Sequence, residues 1–144
     1  MKKVYIFSVF FVFVVLTYGI DLDGVKNLME NYRLAFNSGN PSYFDTILSD
    51  SFTYSGAEPE LSKMVFKSIV ELAPYSISKF FDITISPIGK DSAFANMEME
   101  INYGAVKDTV AQTFIIVEEN GNLRIGAIIE SETNHPKKIK INKL

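Results

Sequence analysis

With one histidine and no cysteine in 144 residues, proton transfer and polar recognition in this chain fall to its tyrosines and carboxylates. His135 stands just before a proline near the C-terminus, so neither a histidine-based metal site nor a Ser-His-Asp triad has its parts. Neither Gly-x-Gly-x-x-Gly nor the P-loop pattern occurs, so nucleotide use is not indicated and no cofactor or metal is expected. Three tyrosines occupy informative places. Tyr32 belongs to an apolar helical stripe, where a phenol must find a hydrogen-bond partner, either a backbone carbonyl or a bound molecule. Tyr54 ends a short apolar strand, and Tyr103 ends the most regular strand on its inward face. Each can line a cavity or simply cap a core.

The elements that must position these groups are legible from periodicity. Val25, Leu28, Met29, Tyr32, Ala35 and Phe36 recur at helical spacing, which predicts a helix from about Leu22 to Ser38 capped by Asp21 or Asp23. Ser38-Gly39-Asn40-Pro41 stops that helix and starts a short second one, about Pro41 to Leu48, with Asn40 as cap and Phe44, Ile47 and Leu48 facing the core. Phe52 to Ser55 reads as a short strand. A third helix over Glu60 to Leu72 presents Leu61, Met64, Val65, Ile69 and Leu72, and Pro74 prevents its continuation. The period then changes to two. Strands are predicted from Tyr75 to about Pro87, with Ile77, Lys79 and Phe81 alternating against Ser78, Phe80 and Asp82, and from Ala93 to Tyr103. Two more follow over Val106 to Val117 and Leu123 to Ser131, separated by an Asn120-Gly121 hairpin signal.

Helices first and strands afterwards imply an α+β domain, three N-terminal helices packed on a strongly curved antiparallel sheet. In the last two strands Ile115, Val117 and Ile128 are placed opposite Phe114, Ile116, Leu123, Ile125, Ala127 and Ile129, so both faces are apolar. Either the strands are central and covered on both sides, or a second subunit covers the outer face as a homodimer.

From about Leu22 to Glu132 this order resembles the nuclear transport factor 2-like superfamily, which includes ketosteroid isomerases and SnoaL-like cyclases. The resemblance is carried by the helix-corner-helix stretch LMENYRLAFNSGNPSYFDTILSDSFTYS and by the closing hairpin from Phe114 to Glu132. It implies a cone-shaped fold with a mostly apolar pocket. It also implies that Tyr32 matches the tyrosine that supplies an oxyanion-hole hydroxyl in the isomerases. The expected aspartate base falls near Ser55-Gly56-Ala57-Glu58, where Glu58 is the only acid and also reads as an ordinary helix start. The late-strand carboxylic acid falls near Gln112, whose amide can donate a hydrogen bond but cannot move a proton. Tyr32, Tyr54, Tyr103 and Gln112 are therefore the candidate ligand-binding residues, and Tyr32 and Glu58 the catalytic candidates.

Lys2 and Lys3 followed by VYIFSVFFVFVVLTY resemble a secretory signal peptide cleaved after Gly19, the alternative being an uncleaved anchor over Val4 to Ile20. The domain would then span 20–134, with residues 135–144 forming a basic tail or edge strand. Without cysteine there is neither a lipoprotein anchor nor a disulfide, so the domain must hold by burial alone, which its 47% hydrophobic content permits. Loss of Lys2 and Lys3 leaves 12 basic against 17 acidic side chains, a net charge of −5 that disfavours nucleic acid. The expectation is a secreted or periplasmic domain that binds a small apolar molecule and touches a membrane only through its leading segment. The alternatives are an isomerase or lyase using Tyr32 and a carboxylate without metal, and a dimerising or partner-binding envelope module.

Overall fold

The computed structural model describes residues 19–130. The apolar leading segment and the basic tail from His135 lie outside the described residues. Helix α1 spans Leu22–Ser38; the Asp21 carboxylate accepts from the Gly24 N–H at its start, and Gly39, at φ 66°, closes it with an N–H donated to the Phe36 carbonyl. All six residues of its apolar stripe are buried. A side chain stitches the helix to the sheet: the Asn37 amide donates to the Ile77 carbonyl and accepts from the Ile77 N–H, both at 2.8 Å.

The next segment is a 3-10 helix, Pro41–Thr46, capped by Asn40. It is tighter and shorter than the expected second helix to Leu48. The Ile125 N–H donates to the Ile47 carbonyl at 2.8 Å, and Leu48 already pairs with Ile125 as the first residue of strand β1, Leu48–Tyr54. That strand runs parallel to the last strand of the sheet, so the sheet is mixed and not wholly antiparallel as expected. Its early residues are polar, yet Ser49 is fully buried because its hydroxyl donates to Glu119 Oε2 at 2.8 Å.

Helix α2, Pro59–Leu72, is turned relative to expectation. Ser62, Phe66 and Val70 face the core, whereas Leu61, Met64, Val65 and Leu72 are exposed and Ile69 is half-buried. Two contacts set this rotation. Phe66 packs edge-on against Phe44 and Phe52, with ring centroids 4.9 and 5.6 Å apart, and the Ser62 hydroxyl accepts the Tyr54 N–H and donates to the Ala57 carbonyl. A large aromatic and a satisfied hydroxyl at the same face outweigh several smaller aliphatics on another.

Strands β2 (Ser76–Pro87), β3 (Ser92–Tyr103), β4 (Val106–Glu119) and β5 (Asn122–Ile129) complete a sheet of order β1-β5-β4-β3-β2. Asn120 and Gly121, at φ 53° and 78°, form the turn between β4 and β5. β3 alternates as expected, with Ala93, Ala95, Met97, Met99 and Ile101 buried. Bulges shift the parity of its neighbours. In β2 the register slips between Ile77 and Lys79 and again between Phe81 and Thr84, so Ile77 and Phe80 face inward while Phe81 pairs with Glu98 on the other face. In β5 the extra residue is Gly126: Ile125 pairs with Ile116, Ala127 with Ile115 and Ile128 with Phe114. Ile128 is therefore inward and buried, correcting its expected outward placement, and Ile129 is 39% exposed. Glycine suits the bulge because a Cβ at position 126 would stand 2.8 Å from Val117 Cγ1 and force one of them to shift.

Candidate functional site

Between α1, α2 and the concave face of the sheet lies a cavity of about 340 Å3. Tyr32, Tyr54, Tyr103 and Gln112 all line it. Two further polar groups do so that sequence reasoning missed, Tyr75 and Glu130. Tyr75 follows the Pro74 helix stop, and Glu130 ends the Ile128-Ile129 run; an isolated acid terminating an apolar strand was the available signal.

The cavity has an aromatic base. The Tyr32 ring packs within 5.2 to 6.1 Å of the rings of Phe36, Phe44, Phe66, Phe80 and Phe114. Tyr32 is 5% exposed and lines the cavity, and no hydrogen bond to its hydroxyl is seen among the described residues. Burial, then the neighbouring phenols of Tyr75 and Tyr54, push its ionisation well above the ordinary tyrosine value. Tyr32 is therefore a protonated donor throughout the physiological range and not a base.

The mouth is different. Tyr75 stacks on Phe36 at 5.3 Å and leans on Tyr103 at 5.2 Å, and Tyr103 reaches solvent. Pairing of Tyr54 with Ile128 in the sheet brings its hydroxyl to Glu130, to which it donates. Burial first, then that carboxylate, raise the Tyr54 phenol, while burial, Tyr103 and Glu130 raise Tyr75. Gln112 is committed in one sense only: its Nε2 donates to the Ile129 carbonyl at 2.8 Å and to the Thr113 carbonyl at 3.3 Å. With both partners acceptors, the amide orientation is determined, and Oε1 is the atom left to accept from a bound molecule.

Glu58 does not belong to this constellation. It is exposed at the N-cap of α2, beside Leu61 and Met64, and does not line the cavity. The acid at the cavity is Glu130. Among the described residues no cluster of three or more His, Cys, Asp or Glu could hold a metal ion. A larger trough of about 770 Å3 runs between α1 and the β4–β5 turn, but it opens broadly to solvent. Its one charged lining residue, Arg124, donates instead to the Asp45 and Leu48 carbonyls.

No family model and no curated protein matches the chain. Solved structures do. An uncharacterised protein with a cystatin-like fold from Caulobacter vibrioides is 15% identical, with a TM-score of 0.59, covering 75% of this chain and 89% of that one. A nuclear transport factor 2-like protein from Cytophaga hutchinsonii is 15% identical at a TM-score of 0.56, covering 75% and 95%. Another, of unknown function, from Shewanella oneidensis is 13% identical at 0.55, covering 74% and 94%. At such identities the shared property is the path of the chain, helices laid over an open curved sheet, and by that path this protein has the nuclear transport factor 2-like fold.

Proposed function

We propose that this chain is an exported domain that binds a small apolar molecule in the cavity without catalysing a reaction. The observation that carries the reading is a preformed void of about 340 Å3 on which Tyr32, Tyr54, Tyr103 and Gln112 converge within mostly apolar walls. Aromatic walls with a few convergent polar groups suit such a ligand. Export is supported by the Lys2-Lys3 start and the apolar run behind it.

The test is native mass spectrometry of the protein gently extracted from its own cell envelope. The expected species begins at Ile20 and carries a retained small-molecule mass that is depleted in Tyr32→Phe. A bare chain whose added ligand candidates leave the cavity resonances unmoved in NMR would overturn the reading.

A second activity of the same domain, pairing through the outer face of the sheet, is favoured by one observation. Phe94 and Ile115 face each other across β3 and β4 with Val117 nearby, and all three remain only half-buried in the isolated chain. In light scattering, Ile115→Lys is expected to turn a dimer into a monomer; a wild-type monomer sinks this part.

A further inference from the structure

The lining of the cavity is electrically one-sided. Among the described residues that line it there is one carboxylate, Glu130, and no lysine, arginine or histidine. The Tyr54 hydroxyl occupies one oxygen of that carboxylate, Oε1. Around it, the rings of Tyr54, Tyr75 and Tyr103 form an aromatic rim at the mouth, with Tyr75 and Tyr103 only 5.2 Å apart and inclined at 51°. The Tyr54 and Tyr75 phenols are shifted upward, so these two add no negative charge of their own, and the rings present electron-rich faces. Gln112 contributes an acceptor, Oε1, because its donors are taken by the Ile129 and Thr113 carbonyls.

An acid within an aromatic rim, together with an amide oxygen, complements a cation or a strong donor and repels a carboxylate. The depth of the cavity specifies the other end of the molecule, because behind the rim the walls are Phe36, Phe66, Met99 and Phe114. We propose that the ligand is an apolar amine: its hydrocarbon body fills the base against Phe66 and Phe114, and its protonated nitrogen sits at the mouth between Glu130 and the tyrosine rim. The inference rests on the cavity being a binding site and adds the chemical class of what it binds.

Three matched probes test it: 2-naphthylmethylamine, 2-naphthylmethanol and 2-naphthoate, with the same fused-ring body and a cationic, neutral or anionic head. Binding to the purified protein at pH 7 is measured by calorimetry and by NMR shifts. The amine is expected to bind about tenfold more tightly than the alcohol, and the carboxylate more weakly than both. In Glu130→Gln the amine is expected to fall to the affinity of the alcohol, whose own binding is unchanged. Equal binding of amine and alcohol, or an amine preference that survives Glu130→Gln, overturns the amine proposal and leaves the cavity as a neutral binding site. Failure of all three probes to bind the folded protein overturns the binding reading and the amine proposal together.

Discussion

The base and the mouth of the cavity use the same residue type to opposite ends. At the base, Tyr32 is gripped by five aromatic neighbours and its hydroxyl has no protein partner among the described residues. At the mouth, Tyr54, Tyr75 and Tyr103 are half-buried or exposed, with Glu130 among them. Packing therefore fixes where the deep hydroxyl points, whereas charge dominates the character of the rim. A change at the base should be read first as stability, and a change at the mouth first as an altered charge at the rim.

The largest expected effect breaks the base. Phe66→Ala removes the ring that supports Tyr32, Phe44 and Phe52 together, and denaturant unfolding should show a loss of about 3–5 kcal/mol. Glu130→Gln at the mouth should leave the unfolding midpoint almost unmoved; comparable losses in both variants would erase the distinction. A smaller effect links the two ends. Gly126→Ala drives a methyl against Val117 and strains the bulge that turns Ile128 inward, at about 1–3 kcal/mol. Weakened amide protection at Ile128, measured by hydrogen exchange, would accompany it.

The pH dependence sharpens the contrast further. The Tyr32 phenol is raised in the folded state relative to about 10 in the unfolded chain, so its stabilising contribution is complete below pH 10 and is lost as pH rises beyond it. Stability should fall by up to about 1.4 kcal/mol per pH unit from this group alone. Tyr32→Phe should flatten the decline, and Tyr54→Phe should flatten it less because solvent screens the mouth. The smallest effect is that of Tyr32→Phe at pH 7. Removing an unpaired hydroxyl while keeping the ring should leave stability unchanged or raise it by up to about 1 kcal/mol. A clear loss at pH 7 would mean that the hydroxyl has an acceptor within the folded chain.

Much of this arrangement could be anticipated from local pattern. The α1 stripe, the Asn40 cap and the Asn120-Gly121 turn each depend on neighbours in sequence, and each stands where periodicity placed it. Tyr54 and Tyr103 could be named because they end regular strands, and Tyr32 and Gln112 because they match positions of the isomerase site in the family the chain resembles. What was not legible depends on distant partners. The inward turn of Ile128 follows from one extra residue opposite β4, and strict alternation gives no warning of a bulge. The rotation of α2 follows from Phe44 and Phe52 waiting for Phe66, and the parallel pairing of β1 from an edge that β5 leaves open. Glu130 joined the site only through Tyr54, a partner 76 positions earlier in the chain.

The parallel pairing of β1 with β5 also bears on the order of folding. β1 precedes all the other strands among the described residues, and its hydrogen-bonding neighbour is β5, the last of them to be synthesised. Such a pairing has high contact order, so α1 and the β2–β3–β4 meander can form early while the leading strand waits with its edge open. The β1 edge cannot be closed until β5 arrives, so the first strand made stays unpaired for as long as the ribosome still holds β5.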